Sequence, residues 1–358
     1  MQLAAAADTV WPVLVEVAPR VARIAVFIGV GVFLANIAVG FGLVEKIATF
    51  SKYLTRPANL PDEVGTAIVT TAASTTAGYG MLADFRESGR LDDAETLIAV
   101  TINTFFGFVQ HIFTFYAPVL IPILGLEVGL LYVGSRAAIA LGITVAGVLA
   151  GAVLLPLGTA EARGGDGSET ADSDTETAVG DGGEPEGEVS DDGESESESE
   201  SESGSESEST LDVIRTAAEK TWPKVKRIVP RLAVVYVLVT LLVRTQDVES
   251  ITSVAEPLTA LLGLPAAALL VIGVFAFDTT TGAATIAPMV GSTFTPRTAV
   301  ATMLLGGIIS FAVSTFKRSI PFQYGIWGPR FGSKVIVVNT GLKIVFIAAA
   351  LAVLLVPI

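Results

Sequence analysis

The chain has 358 residues, of which 51% are hydrophobic and only 16% charged, whereas a soluble domain carries about 25% charged residues. It has no cysteine and a single histidine, His111, which excludes disulfides and thiol catalysis and disfavours zinc sites and histidine-dependent triads. The net charge of -14 comes from one segment, because residues 161–210 hold 19 of the 36 acidic residues and one of the 22 basic ones.

The first long apolar run, Val21 to Leu43, predicts a membrane span. It is too long for the apolar region of a cleaved signal peptide, and no small-residue cleavage site follows it. Charged and apolar residues then interleave from Glu45 to Thr55, a pattern typical of a helix that lies at the membrane interface.

A broken apolar segment and a long helix follow. Asp62 to Phe85 is apolar except for a Ser-Thr-Thr-Ala-Gly break that begins at Ser74. Asp92 to Tyr116 predicts one long helix, and its acidic start fits a helix N-terminus.

The first half ends with a further span. Pro118 and Pro122 interrupt the chain after the long helix. Ala137 to Leu157 then predicts a clean membrane span, and Gly147 and Gly151 within it form a small-residue face suited to close helix packing.

Residues 159–210 are rich in Gly, Ser, Glu and Asp and have almost nothing to bury, which predicts an extended, disordered linker. We interpret the linker as a solvated tether of a composition typical of high-salt cytoplasm; the alternative is a calcium buffer or a partner-binding tail. Basic residues cluster from Lys220 to Arg231, and the positive-inside tendency places this cluster, and with it the linker, in the cytoplasm.

The second half repeats this order of elements. Leu232 to Val243 is a short apolar run between two arginines. Leu264 to Val290 is apolar except for an Asp-Thr-Thr-Thr-Gly break that begins at Asp278. Arg297 to Phe316 and Val335 to Pro357 predict two more membrane helices.

Short motifs recur in the same order in the two halves, which predicts an internal duplication. The pairs are Trp11-Pro12 with Trp222-Pro223, Leu60-Pro61 with Leu264-Pro265, Ser74 to Gly78 with Asp278 to Gly282, Ala117-Pro118 with Ile320-Pro321, and Gly134-Ser135-Arg136 with Gly332-Ser333-Lys334. The predicted fold is all-α, a multi-pass transmembrane helical bundle of two repeats, residues 1–158 and 211–358, with about eight to ten membrane helices, some broken or re-entrant. A parallel and an inverted arrangement of the repeats both stay open.

The two polar breaks are the first candidate site. An ionisable residue in an apolar membrane segment is costly unless it faces the protein interior, so Asp278 should lie opposite a partner. We expect Asp278 and Ser74 to approach each other near the membrane midplane and to form a central site for a polar solute or a coupling ion. The expected ligands are Asp278, Thr279, Thr280, Ser74, Thr75 and Thr76. The alternative is structural, with Asp278 capping a half-helix and the threonines bonding to their own backbone.

Asn103, Gln110 and His111 are the second candidate, because their spacing predicts one shared face of a helix. Such a polar stripe either bonds a neighbouring helix or lines a pathway. The adjacent pair Lys317 and Arg318 either binds an anion or anchors a helix end. Lys343 lies inside the last apolar run and is a potential counter-charge for Asp278.

The polar-broken segments followed by long helices, Val64 to Gly80 with Thr101 to Pro118 and Val271 to Gly282 with Thr302 to Pro321, resemble the gate-domain family of nucleoside-recognition membrane proteins. Its relatives include concentrative nucleoside transporters, ferrous iron transporter cores and spore-maturation membrane proteins. The resemblance implies duplicated gate units that form a transport element. The chain lacks the GTPase domain and the cysteines of the iron transporters, and no nucleoside-binding residue carries over.

The function expected from the sequence is a secondary transporter or permease for a small polar solute in the cell membrane. The alternative is a non-transporting membrane scaffold. No Walker loop, HExxH or GxSxG motif is present, so no enzyme activity and no cofactor are predicted. The expected partners are the lipid bilayer, a solute or coupling ion and a second copy of the chain, but no nucleic acid. A metal site is left unassigned.

Overall fold

The computed structural model describes residues 2–43, 46, 52–155, 210–245, 259, 262–314 and 319–356. Every regular element in these residues is helical, which confirms the all-α class. The helices are α1 (Gln2–Gly40), α2 (Lys52–Thr55), α3 (Asp62–Ala73), α4 (Thr75–Glu87), α5 (Asp93–Ile102), α6 (Thr104–His111), a π-helix (Ile112–Leu120), α7 (Ile121–Leu124), α8 (Leu126–Leu154), α9 (Thr210–Thr245), α10 (Ala268–Phe277), α11 (Thr279–Ile286), α12 (Pro296–Ser314) and α13 (Ile320–Leu355). Short 3-10 turns cover Arg56–Ala58 and Ala287–Met289.

Four helical segments of the described chain are long and apolar enough to cross a membrane, namely Trp11–Gly40, Asp93–Leu124, Leu126–Leu154 and Ile320–Leu355. The most apolar stretch of α13 is only 11% buried within the molecule. Apolar helix surface that the protein itself leaves uncovered is the signature of contact with lipid. The multi-pass membrane class is therefore confirmed.

Two pairs of short helices fold back on themselves. We name α3, Ser74 and α4 hairpin 1, and α10, Asp278 and α11 hairpin 2. Their helices have 12, 13, 10 and 8 residues, about 12 to 20 Å each, which is too short for the roughly 30 Å of bilayer hydrocarbon. Gly78 lies against the Ala67 carbonyl, a contact that a continuous helix cannot make. Their length and fold-back agree with the broken or re-entrant helices that the sequence predicts.

The first helices of the two halves, α1 and α9, pack antiparallel. Asn36 Nδ2 donates to Thr221 Oγ1 at 3.3 Å, and a Cβ on Gly29 would lie 3.8 Å from Val225. Residue numbers thus fall along α9 as they rise along α1. Antiparallel packing of helices at equivalent places is the arrangement that inverted repeats require.

Unusual backbone conformations recur at matching places in the two halves. Asn59 and Gly263 have φ of 56° and 65° before a Leu-Pro pair, and Gly125 and Gly328 have φ of 81° and 70°. These paired turns agree with a duplication. The boundaries of the predicted repeats and of the linker between them stay predictions, since residues 156–209 lie outside the described chain.

The register of the last matched motif was wrong. Gly129 follows Gly125 and packs against Ile121, with a would-be Cβ contact of 2.9 Å, and Gly332 follows Gly328 and packs against Tyr324 at 3.0 Å. Gly129, not Gly134, is therefore the counterpart of Gly332.

The predicted long helix from Asp92 to Tyr116 is confirmed as part of the helical segment Asp93–Leu124, with a local interruption at Asn103. Its start is as expected: the Asp92 carboxylate accepts bonds from the backbone of Ala94 and Glu95 at 2.8 Å. The helix breaks at Asn103 because Thr144 of α8 enters its hydrogen-bond ladder. The Thr144 hydroxyl donates a hydrogen bond to the Ile102 carbonyl at 2.9 Å and accepts one from the Phe105 amide at 3.2 Å.

Three other sequence-based expectations have different outcomes. The short run Leu232 to Val243 forms the last part of the 36-residue helix α9. Gly151 approaches Ala58 closely, with a would-be Cβ contact of 2.5 Å to its carbonyl oxygen, as its small-residue face predicted. Most of Glu45 to Thr55, and both Lys317 and Arg318, lie outside the described residues.

Candidate functional site

Ser74 and Asp278 are the turning points of the two hairpins. Both have extended backbone, with φ, ψ of -144°, 111° and -150°, 120°. The Ser74 hydroxyl accepts from the Ala77 amide at 3.4 Å, and the Asp278 carboxylate accepts from the Thr281 amide. Each residue therefore ends one half-helix and caps the next. Thr71 bonds back to the Ala67 carbonyl at 3.0 Å, so both structural features of the alternative interpretation are present.

The two hairpins lie in separate apolar clusters. Hairpin 1 contributes Ile68 and Leu82 to a cluster that includes Phe106 and Phe331. Hairpin 2 contributes Phe275 and other residues to the second cluster. Ser74 is exposed, and it makes no hydrogen bond to Asp278. The approach of these two residues at the midplane stays a prediction.

Hairpin 1 is held by polar contacts to the following helices. Asn103, only 1% exposed, donates to the Thr71 hydroxyl at 3.0 Å. The Thr75 hydroxyl donates to Gln110 Oε1 at 2.9 Å. Two of the three residues of the predicted polar stripe thus bond a neighbouring element. Thr76 is half-buried on the same hairpin.

Hairpin 2 uses apolar packing at the equivalent place. Counted from the two turning points and from the start of the following helix, Phe275 and Gly306 occupy the places of Thr71 and Asn103. A Cβ on Gly306 would lie 2.9 Å from the Phe275 Cβ, so the glycine makes room for the ring. Thr279 is buried beside the turn and Thr280 half-buried.

His111, the third residue of the predicted polar stripe, lines a cavity together with Thr104 and Phe108 of α6.

The cavity lies between α6 and α8 of the first half and α12 and α13 of the second. We name it the basic cavity. It is lined by Thr104, Phe108, His111, Tyr116, Arg136, Ile139, Ala140, Ile143, Phe311, Lys343 and Ile347. Its volume of about 30 Å³ has room for on the order of two waters. Phe108 and Phe311 occupy equivalent places in the two halves, as do Ala140 and Lys343, so the cavity lies on the interface between the predicted repeats.

Two cations converge on one aromatic ring in this cavity. The Arg136 guanidinium lies 5.6 Å and the Lys343 ammonium 5.1 Å from the Phe311 ring centroid. Arg136 comes from α8 and Lys343 from α13. Among the described residues that line the cavity, none is acidic.

Sequence reasoning did not find the basic cavity, although it noted Lys343 as unusual. The available signal was a basic residue within each of two apolar runs, at Arg136 and Lys343. Arg136 was instead interpreted only as part of a repeat motif. In the part of the chain that the structure describes, no three His, Cys, Asp or Glu side chains are grouped to hold a metal ion.

Proteins of Methanocaldococcus jannaschii are similar to this chain, and each bears the name uncharacterized protein. One is 21% identical over 337 residues, covering 92% of both chains. A second is 20% identical over 328 residues, covering 90% of this chain and 94% of its own length. A third is 33% identical over 96 residues, 27% of this chain and 30% of its own. No family model and no solved structure matches the chain.

Proposed function

We propose that the protein is a secondary transporter or permease for a small polar solute, built from two inverted gate units. The observation that carries this proposal is the basic cavity, because helices of both predicted repeats supply its polar side chains. Transporters with inverted repeats bind their substrates near the bilayer midplane at the interface between the repeats. The gate-domain resemblance is part of the same proposal.

The re-entrant hairpins are proposed to act as the moving parts. Each is a pair of short helices joined at a single extended residue, Ser74 or Asp278, and a broken helix of this kind is tolerated in a membrane only where protein or a cavity surrounds it. Hairpin 1 contacts α6 through Thr75 and Gln110. Since α6 also lines the basic cavity, a movement of hairpin 1 is transmitted to the cavity through α6.

The proposed location is the cell membrane with the linker in the cytoplasm. The support is the basic cluster on α9, where Lys220, Lys224, Arg227 and Arg231 are all exposed. Positive side chains beside a span favour the cytoplasmic side.

Uptake into proteoliposomes tests the transport proposal. The purified full chain is reconstituted, and the accumulation of labelled nucleosides, amino acids, carboxylates and inorganic ions is compared with that in protein-free liposomes. At least one solute accumulates if the protein transports. The variant Thr104→Val, which keeps the side-chain shape and removes a hydroxyl from the cavity, lowers that uptake. A folded protein that moves no solute across the whole panel contradicts the proposal.

A membrane scaffold is the second candidate, and the packing of hairpin 2 favours it. Phe275 fills the place that a polar pair occupies in hairpin 1, and it is only 1% exposed. A centre filled by apolar side chains is what a non-transporting protein requires. The scaffold function predicts normal folding, no uptake and no ligand-induced rise in melting temperature.

A further inference from the structure

We propose that the basic cavity is an anion-binding site whose ligand is a small oxyanion, a carboxylate or a phosphate group, held between Arg136 and Lys343. The identification of this anion with the transported solute rests on the proposed function. The binding itself does not.

The first argument is charge. Arg136 and Lys343 lie against the same Phe311 ring, at 5.6 and 5.1 Å from its centroid. Two like charges repel more strongly in a low-dielectric interior than in water, and a charge in a membrane helix is costly unless it faces an interior partner or a cavity. An anion in the cavity is attracted by both cations.

The second argument is the set of hydrogen-bond donors. The guanidinium and the ammonium are donors only, and both bond oxyanions strongly. Thr104 Oγ1 is buried and has no hydrogen-bond partner among the described residues, and it lines the same cavity. A bound oxyanion supplies the acceptor that this hydroxyl requires. His111 lines the cavity as well, with Nδ1 3.0 Å from the Gly107 carbonyl oxygen.

The third argument is the rest of the wall, which limits the size of the ligand. Phe108, Ile139, Ile143 and Ile347 are apolar, so the polar groups converge on one spot. A volume of about 30 Å³ holds an anionic head group but not a nucleoside. A metal cation is disfavoured by the two fixed positive charges. The proposal therefore narrows the predicted small polar solute to an anion.

The asymmetry of the cavity indicates one ligand and not two. Lys343 comes from the second half, and its counterpart in the first half is Ala140. The neighbouring pair Phe108 and Phe311 is conserved in type between the two halves. Arg136 of the first half and Lys343 of the second half therefore do not occupy equivalent places, and the cavity holds one pair of cations, which suits a single small anion.

The test is the melting temperature of the detergent-purified full chain, titrated with sodium phosphate or sodium acetate at constant ionic strength set with sodium chloride. Acetamide serves as the neutral analogue of acetate. Phosphate or acetate is expected to raise the melting temperature with saturation, and acetamide to leave it unchanged. Lys343→Met and Arg136→Met each weaken the apparent affinity at least about tenfold, which is about 1.4 kcal/mol.

Two control variants keep this result interpretable. Arg330→Met removes an exposed cation of the same helix, α13, and should leave anion binding unchanged. Lys343→Arg keeps the charge and should retain a saturable shift. If none of phosphate, acetate and phosphatidylglycerol stabilises the wild-type chain, or if Arg330→Met weakens binding as much as Lys343→Met, the site is overturned.

A further measurement in lipid nanodiscs distinguishes the two sources of the oxyanion, a lipid head group and a soluble anion. The same variants are compared in nanodiscs of phosphatidylcholine with and without phosphatidylglycerol. Stabilisation by phosphatidylglycerol that Lys343→Met abolishes, without any effect of soluble anions, supports the anion site and assigns it to a lipid head group. Binding of a soluble anion without uptake contradicts the transport proposal alone. Uptake of a neutral solute or a cation without any anion binding contradicts the anion site alone.

Discussion

Single residues decide where each hairpin turns. Ser74 and Asp278 leave the helical region, and their side chains accept a backbone amide of the next half-helix. Short polar side chains are favoured at such positions because they replace the hydrogen bonds that a helix start lacks. The same capping is compatible with a role in ligand binding. Substitutions that remove the charge of Asp278 but keep its capping hydrogen bond distinguish the two roles.

Asp278→Ala is expected to lower the free energy of unfolding by about 0.5–2 kcal/mol, because the α11 amide at Thr281 loses its acceptor. Asp278→Asn keeps a good cap, so its melting temperature should stay near that of the wild type. Thermal unfolding in detergent provides the measurement. Equal destabilisation by both variants would mean that the charge, and not the cap, stabilises the fold.

If Asp278 belongs to a ligand site, Asp278→Asn loses uptake while the protein stays folded, because asparagine keeps the shape and loses the charge. The matched variant is Ser74→Asn at the equivalent turn, which places the same side chain on hairpin 1. A fall in stability without a selective loss of uptake would leave Asp278 as a structural cap.

Elements rather than residues explain how the hairpins close. Gly78 approaches Thr71 and the Ala67 carbonyl, and a Cβ on Gly282 would lie 2.6 Å from the Phe275 Cα. The glycine four residues after each turn therefore permits the two half-helices to touch. The sequence showed the glycine and the polar break, and so the breaks were predictable. The partners of the half-helices were not, because Thr71 with Asn103 and Phe275 with Gly306 meet only in the folded chain.

Gly78→Ala is expected to destabilise the protein by about 1–3 kcal/mol or more, since the new methyl group overlaps hairpin backbone that cannot move freely. Gly80→Ala is the matched control: it lies two residues further along α4 with open space around its Cβ position. In a helix this control gains about 0.5–1 kcal/mol. Equal melting temperatures for the two variants would contradict the close approach of α3 and α4.

Placing the apolar pair of hairpin 2 at the equivalent positions of hairpin 1 tests whether the two hairpins are equivalent. Thr71→Phe alone overpacks hairpin 1 and should lower the melting temperature. Thr71→Phe with Asn103→Gly installs the pair that hairpin 2 uses, Phe275 with Gly306. The double variant should be more stable than the sum of the single effects predicts, and the double-mutant cycle measures that coupling. Simple additivity would indicate that the two places are not equivalent.

At the scale of the whole molecule, α1 packs antiparallel to α9, and helices of both predicted repeats surround the basic cavity. Apolar runs and a repeated motif order were sufficient to predict the all-α membrane fold, because lipid exposure leaves long hydrophobic segments in any sequence. Orientation of the repeats was not readable, since it depends on whether short helices cross the membrane. The basic cavity was missed for a related reason: Arg136 and Lys343 lie far apart in sequence and converge only through packing.

Cross-linking tests the antiparallel packing of α1 and α9. Since the chain has no cysteine, the pair Asn36→Cys with Thr221→Cys gives the only two thiols, at positions whose side chains lie 3.3 Å apart. Oxidation should join the two halves, which remain together on a denaturing gel after cleavage at a protease site inserted between residues 164 and 209. Asn36→Cys with Val229→Cys, two turns further along α9, should cross-link poorly. Efficient linkage of the second pair alone would contradict the contact between Asn36 and Thr221.

The most direct test of the central claim, that the basic cavity belongs to a transport pathway, is the accessibility of Thr104→Cys in the cysteine-free chain. Sealed vesicles of both orientations are treated with a membrane-impermeant thiol reagent. Gly80→Cys on hairpin 1 serves as the reference for the rate of thiol modification. A transporter exposes its central site to each side in turn, so the thiol at position 104 should be modified from both aqueous sides, and phosphate or acetate should slow the reaction. Modification from neither side, or from one side only, in a folded protein would contradict the account.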